Sequence, residues 1–270
     1  MALTAEGRAL TESHRLAQLA LAARVDRVSR SLWKRLDVSD LDGSQSRWLT
    51  AQLALLGGAY SQSQDIAGEY VDAYRRAEGA GTSAPFVAPV FPYEESVAAM
   101  LISGPHRVKA YIGKGMSPSV AHGAAVNGLT GMARRQVLAG GRMAIDSTTA
   151  HDSKAIGWRR VTDGKPCTFC AMLATRGPVY ASEQTASEIA GSGLRYHAHC
   201  GCTAEIVYGE WIPTKAEQQY IDAYEAAAKE AEAVDGARTQ DTVLWRMRRD
   251  GSFRDSPAKR NKTTPANGEG

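Results

Sequence analysis

The chain holds four cysteines, and all of them fall between residues 167 and 202. Two lie in "PCTFC" (166–170), and two lie in "YHAHCGC" (196–202), which also brings two histidines. A CxxC turn aims both sulfurs at one point, and the pairs His197/Cys200 and His199/Cys202 repeat the spacing of three. Two such turns brought together make a tetrahedral site of thiolate and imidazole ligands, which suits zinc. The candidate ligands are Cys167 and Cys170 with two of His197, Cys200 and Cys202. Spacing leaves the choice among the last three open. The alternatives are a reduced thiol cluster without metal, disulfides formed in an oxidising medium, and a catalytic thiol at Cys170 or Cys200. Metal is favoured on energetic grounds. A module of about 55 residues buries too little surface to be secure alone, and a zinc clip offsets that.

Around this cluster the composition favours helix. Aromatic residues make up only 7% of the chain while alanine is abundant. A net charge of +3 is too small to imply nucleic-acid binding by the chain as a whole. No run approaches the roughly 18 apolar residues of a membrane span, so no membrane is expected as a partner. The start, "MALTAEGRAL", shows no basic region followed by a long apolar stretch, so no secretory signal is expected. The expected compartment is a reducing cytosol, where clustered cysteines more often bind metal than form disulfides.

The fold expected is mainly α with a small α+β module. Residues 1–80 read as a long helical hairpin. Its first helix spans about 8–36, with Leu21, Val25, Val28, Leu32 and Leu36 on one stripe. "DVSDLDGS" (37–44) is a turn, and a second helix follows over about 45–78. Residues 81–156 hold a linker or extended arm and central helices. Pro92 can open a short helix, and Ser117–Pro118 makes an N-cap and first-turn pair for a longer one. Gly140 and Gly141 are expected to weaken that helix near Ala139. Residues 157–212 form the Cys/His α+β module, with strands near 157–161, 177–180 and 202–211 and a short helix over 182–191. Residues 213–249 hold C-terminal helices, the first opened by a capping box of Thr214 with Glu217. Residues 250–270 are expected to be a disordered basic tail. Between Arg246 and Lys262 there are seven basic and two acidic residues, so contact with DNA or an acidic partner is the sharper reading of a solvated basic tail.

Enzymatic motifs are sparse. "PCTFC" matches half of a zinc nucleoside deaminase signature, but no upstream histidine carries the HxE glutamate that this chemistry needs. A histidine-and-asparagine nuclease would need an asparagine soon after the histidines, and none occurs between residues 128 and 260. No GxSxG, HExxH or Walker-type loop is present.

The combined pattern of Cys167-Thr168-Phe169-Cys170, Leu173 and His197 through Cys202 resembles the Mu F-like minor capsid family, also called phage head morphogenesis proteins. "GW...DGKPCTFCAML..RGPVY" with "YHAHCGC" is similar to the version found in phages of actinobacteria, over roughly residues 120 to 210. Three positions depart from the general family pattern, one of them the extra His199, which that pattern lacks. Ala198 stands where many members have proline, and Gly201 stands where many have a basic residue. The resemblance implies a virion protein, present in few copies and made in the host cytoplasm. It would act in head assembly beside the portal protein, with the major capsid or scaffolding protein as further partners. Some relatives are described as head maturation proteases, which makes a protease the runner-up. A zinc module that binds nucleic acid is the third reading.

Overall fold

The structure, a computed structural model, describes residues 2–179, 196 and 198–257. Helix α1 spans Ala5–Trp33 and α2 spans Leu41–Ala77, joined by a short polar loop. Thr4 caps α1 by accepting the Gly7 N–H, and Asp40 caps α2 by accepting the Gly43 N–H. The hairpin is antiparallel, because Glu78 at the end of α2 accepts from the Leu3 amide and the Thr4 hydroxyl, each at 2.7 Å. Leu21, Val25 and Leu36 are buried as the stripe predicts, whereas Val28 is 38% exposed and lies outside the contact. The apolar face expected on α2 is Leu49, Leu53, Leu56, Tyr60, Ile66, Tyr70 and Tyr74; five of these are buried, and Leu49 and Ile66 are half-buried.

A third long helix completes a bundle. Helices α3 (Tyr93–Ser103) and α4 (Pro105–Gly113) lead into α5, which runs unbroken from Pro118 to His151. Ser117 and Pro118 take the N-cap and first-turn positions. The expected weakening at Gly140 and Gly141 does not occur. Two glycines cost a helix about 1 kcal/mol each, and close packing offsets that cost. A Cβ at Gly140 would sit 2.4 Å from the Tyr60 carbonyl oxygen, so only glycine lets α5 approach α2 here. One residue on, the Gly141 N–H donates to Ser63 Oγ at 2.9 Å, and Ser63 Oγ donates to Gln18 Oε1 at 2.7 Å. The three long helices meet through that chain of bonds. The segment before α3 is an extended arm held against α2 and α5: Gln64 donates to the Pro89 carbonyl, and the Val87 N–H donates to Thr148 Oγ1.

A two-stranded antiparallel sheet lies on α5. Strand β1 (Gly157–Val161) pairs with β2 (Thr203–Val207), with Trp158 opposite Ile206 and Arg159 opposite Glu205. Trp158, Ala204 and Ile206 pack with Tyr70, Val71, Ala144 and Ile145 in one apolar cluster, so the sheet shares its core with the bundle. The third expected strand is absent from residues 177–179. Gly177 has φ +63 and lies against the Trp211 ring, and the Pro178 carbonyl lies against Gly157. Tyr180 and the helix expected over 182–191 lie outside the described residues.

Helix α6 (Thr168–Ala174) starts at the first cysteine turn. It packs through Met172 and Leu173 against α7 (Lys215–Asp235) and α8 (Gln240–Asp250). The capping box is formed as predicted: Glu217 N–H donates to Thr214 Oγ1, and Thr214 N–H donates to Glu217 Oε2. The tail expected to be disordered is docked over residues 251–257. Phe253 joins the α6–α8 cluster, the Arg254 N–H donates to the Pro166 carbonyl, and Asp255 accepts from both the N–H and hydroxyl of Thr168. Residues 258–270 lie outside the described residues. Of the seven basic residues expected to face DNA or an acidic partner, the described Arg246, Arg248, Arg249 and Arg254 each pair with a carboxylate of the chain. No helix among the described residues is long and apolar enough to cross a membrane.

Candidate metal centre

The first cysteine turn is shaped by a helix start. Cys167 takes the N-cap position of α6 in extended conformation, and its Sγ accepts the Cys170 N–H at 3.4 Å. This places Cys170 one turn into the helix, pointing inward and 1% exposed. The second turn follows from backbone geometry at His199, the one described non-glycine residue with positive φ (64°). That bend carries Cys200 and Cys202 into the interior just before β2 begins.

The two turns converge. Sγ atoms of Cys170, Cys200 and Cys202 all lie within 4.8 Å of one another, and Cys170 and Cys200 are 3.5 Å apart. Zinc–thiolate bonds of about 2.3 Å in a tetrahedron put sulfurs about 3.8 Å apart, so the trio has the spacing of a metal-binding face. All four cysteines are free thiols and buried. Cys167 is in the same apolar cluster as the trio, together with Tyr196, but it is outside the mutually close set. His197 lies outside the described residues. His199 is also outside the close set; its imidazole rests on α5, filling the space where a Cβ of Gly131 would be. A Cβ at Gly201 would lie 2.6 Å from Asp163 Oδ2 and 3.1 Å from Arg134 Nη2, both ends of side chains that surround this turn.

Two buried arginines and one tyrosine surround the thiols, and the sequence reading did not single them out. Arg142 of α5 donates from Nε and Nη2 to the Cys202 carbonyl at 3.0 and 2.7 Å, and from Nη2 to the Cys200 carbonyl at 2.9 Å. Arg160 of β1 reaches Cys170 Sγ at 3.9 Å. Their guanidinium carbons lie 3.6 and 3.8 Å from the centroid of the Tyr196 ring. Two groups that close to one centroid must occupy opposite faces, so the ring is sandwiched between cations. The only advance signal was the pair Arg159–Arg160 inside a short apolar strand, where alternation would send one outward; both are buried.

The thiols share their charge unevenly. A hydrogen bond from Cys170 pulls Cys200 well below the usual thiol range, with Arg142 and Arg160 adding to the effect. Cys170 moves up, first through its hydrogen bond with Cys167. Cys202 is lowered by its bond with Cys170, yet Cys200 and burial outweigh that and push it up to about 12. Negative charge is thus favoured on Cys200, beside Arg142 and Arg160, while Cys170 and Cys202 hold their protons; a metal bound by all three would displace those protons.

Compared with known proteins, the chain matches the family model described as VG15 protein over residues 6–231, a span that includes both cysteine turns. No curated protein and no solved structure matches it.

Proposed function

The chain belongs to the VG15 protein family, a viral (phage) gene family, and on that premise we propose that it is a minor head protein acting beside the portal during head assembly. The role is structural, and zinc held by the cysteine centre is its clip. The observation that carries this reading is the convergence of Cys170, Cys200 and Cys202 in the interior. Cys167, at the turn's N-cap, is the fourth ligand we favour. Buried thiols beside buried cations suit a closed structural site, whereas a nucleophile needs access to substrate. The three-helix bundle offers the long surfaces that contact portal, major capsid or scaffolding protein. Packaged DNA is a further partner through the basic residues up to Lys262.

Heads purified from infected cells test this. The chain is expected in low copy number with the portal, and purified chain is expected to carry stoichiometric zinc. Recovery only in the unassembled host-cell fraction overturns the assembly role, and metal-free folded protein overturns the zinc clip. Incubation with major capsid or scaffolding protein is expected to leave both uncut; cleavage blocked by cysteine alkylation would establish the protease instead.

A further inference from the structure

Arg142 stands in the C-terminal half of α5, and its guanidinium is directed at the cysteine loop. It is 3% exposed, and three hydrogen bonds from Nε and Nη2 go to the carbonyls of Cys200 and Cys202. A planar fork that spans two carbonyls of one tight turn fixes the orientation of that turn. The side chains in question are the two thiols that must point at Cys170. The same guanidinium stacks on Tyr196, whose other face is covered by Arg160. A divalent ion with three or four thiolates carries net negative charge, and a buried anion of this kind is costly without a cation nearby.

We propose that Arg142 is the positioning residue of the metal centre: it locks the Cys200–Cys202 turn to α5 and supplies the charge that balances the thiolates. This rests on the metal reading of the cysteine cluster. It makes the ion a joint between the small sheet region and the helical bundle as well as a clip within one turn. Groups in this outer position commonly change metal affinity by about 10–100-fold.

Cobalt(II) is the probe, because its thiolate charge-transfer and d–d bands report sulfur number and geometry. Arg142→Met is expected to weaken cobalt binding by about 10–100-fold and to alter the charge-transfer band. Arg142→Lys keeps the charge but loses the fork and the stack, so it is expected to restore part of the affinity. Arg135→Met, an exposed change on the same helix, is expected to match the unmodified chain. If Arg142→Met is too unstable to purify, Arg142→Lys alone decides. Unmodified affinity and spectrum in the Arg142 variants, even with a lower melting temperature, overturn the proposal and leave the metal reading intact. Failure of the unmodified chain to bind cobalt overturns the metal reading and this role with it.

Discussion

Arg159 and Glu205 face each other across the two-stranded sheet, and their side chains meet at 2.6 Å from Nε to Oε1 in the interior. The pair is the hub of a longer chain. Arg159 Nη1 also pairs with Glu217 of α7, while Glu205 Oε2 accepts from Thr11 of α1, whose hydroxyl contacts Tyr70 of α2 at 3.0 Å. Five elements are thus joined through one buried cation and two carboxylates. Arg159→Met would leave both carboxylates buried without their cation. It is expected to lower unfolding stability by about 3–5 kcal/mol, measured by urea denaturation. Replacing all three charged residues together by apolar ones should cost much less, because no unpaired charge remains.

The metal reading predicts a linkage between chelation and melting. A strong chelator is expected to lower the melting temperature of the unmodified chain, since an ion at a thousandfold over its dissociation constant contributes about 4 kcal/mol. Cys170→Ala, Cys200→Ala and Cys202→Ala remove members of the close trio. Each is expected to lose stoichiometric zinc and to melt at one temperature with or without chelator. Thermal scans in both conditions, with zinc quantified by a chromophoric dye, check this.

The helix crossing at Gly140 gives a prediction opposite to helix propensity. Alanine is the better helix former, but its Cβ at 140 would meet the Tyr60 backbone oxygen at 2.4 Å. Gly140→Ala is expected to destabilise by about 1–3 kcal/mol through overpacking. Gly123→Ala, on the same helix with nothing within 4 Å of the new atom, is expected to stabilise by up to about 1 kcal/mol. Equal effects of the two in thermal or chemical unfolding would refute the close-approach account.

His14 makes the bundle sensitive to acid. It is 4% exposed, stacked on Tyr70 with centroids 4.3 Å apart, and burial lowers its pKa from 6.5 to about 3. The folded ring stays neutral where the unfolded ring takes a proton. Its contribution is therefore complete above about pH 6.5 and is lost as pH falls from there toward 3. At 1.36 kcal/mol per pH unit, the loss reaches roughly 4–5 kcal/mol near pH 3. Stability measured against pH should fall less steeply over that window in His14→Phe than in the unmodified chain.

Much of this architecture was legible locally. Thr214 with Glu217, Ser117 with Pro118 and the periodic apolar stripe of α2 are signals carried within a turn or two of the chain. Helix existence depends mostly on such neighbours. The docking of residues 251–257 was not legible, because "GSFRDSP" reads as polar and weakly apolar. Its order comes from Phe253 and Asp255 meeting α6 and α7 at a distance in sequence.

By itself the sequence determined that helices dominate, that two cysteine turns exist and that their spacing favours a shared ion. Tertiary structure alone decided that Cys170, Cys200 and Cys202 form the close trio, that His199 rests on Gly131 outside it, and that Arg142 and Arg160 stack on Tyr196 beside the sulfurs. The reason is one of range. Caps and turns follow from bonds between residues three or four apart. Which thiol meets which, and whether an arginine faces water or a carbonyl, follows from how α5 and the sheet pack against each other.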